Sequence, residues 1–152
     1  MASLVLAAWT VSGATPIVVW HGLGDNACFP FSMGYIKQLI EDNIPDAYVY
    51  LVELGGSCVT DEYMGYLSDV NDDIASVAQT LAADPQLANG FHAMGFSQGA
   101  QFLRAYVQRY NSPPVHNLVS VGGQHQGVFG FPSTCRAFAR MWDVGFFFFL
   151  DV

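Results

Sequence analysis

The sequence predicts an α/β fold, a parallel sheet of about four strands with flanking helices. Three observations carry that expectation. Short β-branched or aromatic runs alternate with segments of helical apolar period along the chain. The connections between successive runs are too long for hairpins. The runs are also apolar at nearly every position, as strands buried on both faces of a parallel sheet must be.

Taken in order, Pro16–His21 (PIVVWH) reads as the first strand, broken by Gly22-Leu23-Gly24-Asp25. Ser32 is placed to cap a helix whose apolar residues are Met33, Ile36, Leu39 and Ile40, stopped by Asn43-Ile44-Pro45. Tyr48–Val52 is a second strand, and Gly55–Gly65 reads as a Gly-rich loop. Val70, Ile74, Val77, Ala78 and Leu81 form a second helical stripe, with Asp72 and Asp73 in its first turn to complement the dipole. Phe91–Phe96 is a third strand. It leads directly into a helix over Gln98–Tyr110, with Ala100, Leu103, Val107 and Tyr110 on one face and Asn111–Pro114 as its stop. Leu118–Val121 is the fourth strand, running into Gly122-Gly123, and no internal repeat is visible.

The composition bounds what such a chain can do. Its 152 residues are 52% apolar and 12% charged, against roughly 45–50% and 25% in an average soluble domain. One core-rich domain is expected, and 14% aromatic residues exclude a disordered chain. No apolar run reaches the ~18 residues of a spanning helix, so no transmembrane anchor is expected. The net charge of −8 is uneven: −4 over residues 1–60, −6 over 61–90 and +2 over 91–152. A basic footprint is missing, so nucleic acid is not an expected partner. The acidic stretch reads as a solvated face. Cys28, Cys58 and Cys135 lack metal-ligand spacing, so no metal is expected, and their odd number leaves at least one unpaired. Residues 1–14 (MASLVLAAWTVSGA) resemble a secretory signal cleaved after Ala14 but lack its basic start, and the alternative is an ordinary first strand or ragged N-terminus.

Chemistry is concentrated at two loops. Gly95-Phe96-Ser97-Gln98-Gly99 is a G-x-S-x-G pentapeptide between a predicted strand and a predicted helix. A sharp strand-to-helix turn there would expose Ser97 Oγ, and Gly95 and Gly99 would let the backbones pack closely. The helix N-terminus below Ser97 would favour a developing oxyanion. His21-Gly22-Leu23-Gly24, just after the first strand, sits where hydrolases of this architecture offer a second backbone donor. The two expected donors are the N–H groups of Leu23 and Gln98.

The stretches PIVVWHGLGDNAC, FSMGYIKQLI, NGFHAMGFSQGAQFLRAYVQRY and NLVSVGGQHQGVFGFP resemble the palmitoyl-protein thioesterase family, lysosomal α/β-hydrolases that remove fatty acyl groups from cysteines. The resemblance runs from about Thr15 to Pro132, with MGFSQG (Met94–Gly99) and GGQHQGVFG (Gly122–Gly130) as its most specific parts. It implies the N-terminal part of an α/β-hydrolase fold over residues 15–132, with Ser97 as nucleophile and the backbones of Leu23 and Gln98 as oxyanion hole. The implied substrates are S-acylated proteins or peptides and acyl thioesters. No cofactor is implied, and the implied location is lysosomal or secreted.

In this fold class the triad follows the order Ser…Asp/Glu…His. After Ser97 the acids are Asp143 and Asp151, and no histidine follows either, so neither the triad Asp nor the triad His is expected in this chain. His116 is expected on the surface, in the loop entering the fourth strand. His125 lies at the right end of the sheet, but the family uses a later histidine as base. His21 and His92 read as packing or hydrogen-bonding residues. Residues 133–152, with the run Phe146–Leu150, read as an aberrant non-family tail, which implies truncation and an open edge on the fourth strand. Two alternatives to the thioesterase accompany this reading: another serine esterase or lipase, and a catalytically inactive fragment.

Overall fold

The computed structural model describes residues 13–127. The first twelve residues of the expected signal, together with Cys135, Asp143, Asp151 and the whole 133–152 tail, lie outside the described residues. The elements run β1 (Ile17–Trp20), α1 (Met33–Asn43), β2 (Val49–Leu51), α2 (Cys58–Leu67), α3 (Val70–Ala83), β3 (Phe91–Phe96), α4 (Gln98–Arg109) and β4 (Val115–Val121). The sheet is parallel throughout in the order β2-β1-β3-β4. Ile17 pairs with Val49 on one side and His92 on the other, and Ala93 pairs with Leu118.

Strand alternation divides the core into two layers. Val18, Trp20, Phe91 and Ala93 face α3 and α4, where Ile74, Leu81, Phe102, Leu103 and Tyr106 complete the larger cluster. Ile17, Val19 and Val49 face the other way, onto Met33 and Ile40 of α1. Trp20 and Phe102 meet edge to face with centroids 5.0 Å apart. Helix α4 is buried over a broader face than the Ala100–Leu103–Val107 stripe suggested. Phe102, Ala105 and Tyr106 are buried as well, because α4 packs both on the sheet and against α3.

Three expectations need correction. Gly55–Gly65 is not a loop: only Gly55 and Gly56, both at φ +74°, form the turn, and α2 begins at Cys58. Ser57 caps it, its Oγ accepting from Thr60 N–H at 3.2 Å. The apolar pattern concealed this helix because Val59, Tyr63 and Leu67 point outward while Asp61 is its buried residue. The acidic stretch is likewise not wholly a solvated face, since Asp61 and Asp73 are both buried. Finally, β4 starts at Val115, so His116 is a strand residue, exposed, at an irregularity where Phe91 pairs with Val115 and His92 with Asn117. That early start is anchored by Phe91 N–H donating to Pro114 O (3.1 Å) and by Val115 N–H donating to Asn111 Oδ1 (2.9 Å).

The layering sets a simple stability contrast. Leu81→Ala, at a fully buried position, is expected to cost about 2–5 kcal/mol. Val59→Ala, 74% exposed, is expected to stay within about 0.5 kcal/mol. Urea unfolding midpoints of the two variants check this.

Candidate active site

Ser97 sits where β3 ends and α4 begins, with no intervening residue. Its φ of +51° and ψ of −114° place it in a backbone region that non-glycine residues rarely adopt. The turn is that sharp because the flanking glycines let backbones touch. A Cβ added at Gly95 would lie 2.4 Å from Ala100 Cα, and one at Gly99 would lie 2.4 Å from the carbonyl oxygens of both Trp20 and His21. So Gly95 seats α4 on β3, and Gly99 seats α4 on the end of β1. Ser97 N–H donates to Val121 O at 2.8 Å, which ties the backbone at Ser97 to β4.

The β1 exit loop reaches the same place. A Cβ added at Gly22 would lie 3.2 Å from Ser97 Cβ and 3.4 Å from Phe96 O. Asp25 N–H donates to Gly22 O at 3.2 Å, closing a turn whose third residue, Gly24, has φ +77°. That positive φ is the mark of a type II turn, which glycine supplies without strain. Leu23, in the turn, is half exposed. Its side chain gathers with that of Gln98 beside Gly65 of α2, and Gln98 Nε2 donates to Gly65 O at 3.1 Å. As the first residue of α4, Gln98 has a backbone N–H with no partner inside the helix. The crevice lies between the carboxyl ends of β1 and β3, on either side of which the strand order reverses, the usual place for ligands in open parallel sheets.

A buried charged pair holds this loop. His21 Nε2 lies 3.0 Å from Asp61 Oδ1, and His21 Nδ1 lies 2.9 Å from Gly22 O. Both ring nitrogens therefore face acceptors, and only the imidazolium can donate to both. Burial pulls the His21 pKa down. The hydrogen bonds to Asp61 and Gly22, with the charges of Asp61 and Asp25, outweigh burial and hold it above the ordinary 6.5. Asp61 also accepts from Leu54 N–H (Oδ1, 2.8 Å) and Ala27 N–H (Oδ2, 2.8 Å). A disulfide between Cys28 and Cys58 joins the same loop to α2.

The third wall is the loop after β4. Gln124 Nε2 donates to Ser97 Oγ at 2.8 Å, so the Ser97 hydroxyl proton must point elsewhere. Gln101 Nε2 donates to Gln124 O, and Arg104 Nη1 donates to His125 O at 3.3 Å, pinning the loop to α4. The His125 ring is turned away: its Nε2 meets Ser120 Oγ at 2.7 Å. His92 meets Asn117 Nδ2 at 3.0 Å within the sheet. Neither His116 nor His125 hydrogen-bonds Ser97 among the described residues.

The structure thus gathers Ser97, Gly95, Gly99, Gln98 and the Leu23 turn around one crevice. The sequence reading missed Gln124, Gln101 and Asp61. The signal for Gln124 was its place in the GGQHQ segment after a strand. For Asp61 it was an acid four residues after a capping serine. Comparison with known proteins agrees with the geometry. A family profile described as "Palmitoyl protein thioesterase" matches residues 16–148. The chain is 48% identical over 136 residues to "Palmitoyl-protein thioesterase 1" of Caenorhabditis elegans, covering 86% of this chain and 46% of that protein. It is 41% identical over 129 residues to "Palmitoyl-protein thioesterase 3" of Dictyostelium discoideum, covering 85% and 42%. A third relative, 33% identical over 113 residues, is "Palmitoyl-protein thioesterase-dolichyl pyrophosphate phosphatase fusion 1" of Schizosaccharomyces pombe, covering 74% and 18%. The chain spans less than half the length of these relatives.

Two predictions follow from the packing and the charge. Gly99→Ala presses a methyl group onto two backbone oxygens that cannot swing aside. It is expected to cost about 1–3 kcal/mol or more, whereas Gly65→Ala in α2, where an added Cβ would lie 3.7 Å from its nearest neighbour, Gln98 Oε1, is expected to be neutral or to stabilise by up to about 1 kcal/mol. Denaturant midpoints distinguish the two. For His21, the raised folded pKa means its stabilising contribution is complete below about 6.5 and is lost as pH climbs through the raised value. The urea midpoint should fall between pH 6 and pH 9, and fall less in His21→Gln.

Proposed function

Because this chain belongs to the palmitoyl-protein thioesterase family, we propose that its protein hydrolyses fatty-acyl thioesters on protein cysteines through an acyl-enzyme on Ser97. The observation that carries the reading is the strained Ser97 at the head of α4, with the Gly22–Leu23 turn packed against it. Ser97 Oγ attacks the thioester carbonyl while its proton passes to a base. The carbonyl oxygen, now negative, takes hydrogen bonds from the Leu23 and Gln98 N–H groups at the positive end of α4. Collapse of the tetrahedral intermediate breaks the C–S bond and releases the cysteine thiolate. Water then attacks the acyl-serine by the same route and frees the fatty acid.

A thioester suits this equipment. Its leaving group, a thiol with pKa near ~8.5, departs with little help from a proton donor. The demands fall on nucleophile and oxyanion hole, the two parts this reading assigns to Ser97 and to the Leu23 and Gln98 N–H groups. More than half the length of the relatives lies beyond the match, and the reading places the triad acid and histidine there.

The proposed substrates are S-acylated proteins or peptides, and the proposed location is lysosomal or secreted. The Cys28–Cys58 disulfide supports an oxidising compartment, and the apolar start, residues 1–14, supports a secretory signal. Among the described residues no helix is long and apolar enough to cross a membrane.

Labelling by an activated fluorophosphonate, alongside hydrolysis of a palmitoyl thioester and of a matched oxygen ester, tests the proposal. In the protein that carries this segment together with the triad acid and histidine, the expected result is label on the wild type and none on Ser97→Ala, with the thioester turned over in preference. Equal labelling of both proteins, or a clear preference for the oxygen ester, overturns it.

A further inference from the structure

The peptide between Gly22 and Leu23 is gripped from one side. Its carbonyl oxygen is 2.9 Å from His21 Nδ1 and accepts from Asp25 N–H at 3.2 Å. Behind His21 stands Asp61, 3.0 Å from Nε2, with both side chains buried. A trans peptide directs its C=O and N–H to opposite sides. Fixing the Gly22 carbonyl toward His21 therefore fixes the Leu23 N–H on the far side of the same plane. Since even a Cβ added at Gly22 would press on Ser97, at 3.2 Å from its Cβ, the peptide runs beside Ser97 and the orientation of this one plane decides whether the N–H meets the reacting carbonyl.

We infer that His21 and Asp61 are positioning residues for the oxyanion hole: the buried imidazolium–carboxylate pair sets the Gly22–Leu23 peptide plane and polarises the Leu23 N–H. The inference rests on Leu23 being an oxyanion donor, as proposed above. A cation hydrogen-bonded to an amide oxygen draws electron density from the nitrogen, so the N–H becomes a stronger donor. The charged groups acting on His21 are Asp61 from α2 and Asp25 from its own loop. Asp61 has a structural role too, through Ala27 N–H and Leu54 N–H. A purely structural pair would lower stability without a selective effect on turnover.

Leu23→Pro separates the two readings, because proline is favoured at the second position of a type II turn and simply removes the N–H. In acyl-thioester hydrolysis by the protein that carries the triad acid and histidine, Leu23→Pro is expected to lower kcat roughly 10²–10³-fold with little change in KM. His21→Gln is expected to lower it at least about tenfold, and the double variant should be no slower than Leu23→Pro. Independent losses that multiply in the double variant overturn the inference while leaving Leu23 as a donor. Unchanged kcat in Leu23→Pro removes the donor assignment and the inference with it. A second measurement needs no turnover and no variant that must fold. In the ¹⁵N-labelled wild-type chain, the Leu23 amide resonance should follow the same pH midpoint as the His21 ring nitrogens, above the ordinary histidine value. Where Asp61→Asn folds, both midpoints should fall together. A Leu23 amide that stays flat through the His21 titration overturns the inference without touching the assignment of Ser97.

Discussion

One buried carboxylate organises the mouth of this sheet. Asp61 is inaccessible to solvent, yet it takes hydrogen bonds from His21, Ala27 and Leu54, which come from the end of β1, the loop beyond it and the segment after β2. An isolated carboxylate in that place would be driven to neutralise. Paired with the imidazolium and two backbone donors, it is satisfied, and no buried side-chain polar atom among the described residues lacks a partner. Removing one member of such a pair typically costs about 3–5 kcal/mol, because the other stays buried and uncompensated. The position of α2 depends on it more than on apolar contact, since the Val59, Tyr63 and Leu67 side chains face outward.

That dependence explains which parts of the molecule were legible in the sequence. Strands β1 to β3 and three of the helices are held by burial of apolar surface, and apolar period is what a sequence displays most openly. PIVVW, VYL and FHAMGF sit in the sheet as their composition suggests. Helix α2 is held by a charge, a cap and a disulfide, with Met64 packing on the larger cluster, so Val59, Tyr63 and Leu67 point outward and its glycines read as a loop. β4 was shortened for a related reason. His116 and Asn117 interrupt the apolar run, yet the backbone ladder continues past them to Val115.

The site was legible to the same extent. Ser97, Gly95 and Gly99 were exposed by local chemistry, because a sharp strand-to-helix turn demands small residues at fixed offsets. Gly22 and Gly24 were exposed for a like reason, one by close approach to Ser97 and the other by a positive φ. Asp61 lies 40 residues from His21 and Gln124 lies 27 residues from Ser97. Contacts at such separations leave no period and no local signature. They are products of the topology, which brings the ends of β1, β3 and β4 to one edge.

The third wall of the crevice shows how that edge is made rigid. Among the described residues β4 is the outer strand, and Val119 and Val121 are 45% and 42% exposed. A loop hung on such a strand has a sheet neighbour on one side only. Its fixed points come instead from α4: Gln101 holds the Gln124 carbonyl, and Arg104 holds that of His125. Ser97 caps the same helix and donates its N–H back to Val121. Ser97, the Gln98 N–H and Gln124 are thereby fastened to one buried rod, with Phe102, Leu103 and Tyr106 fixing it to the core. The geometry at Ser97 Oγ is set by a helix that cannot tilt without opening the larger hydrophobic layer. The Leu23 turn is the one part of the crevice fastened elsewhere, to α2 through Asp61 and Cys28–Cys58. Relative motion between Ser97 and the Leu23 turn is opposed where the two anchorages meet, at Gly99 against the Trp20 and His21 carbonyls and at Gln98 against Gly65.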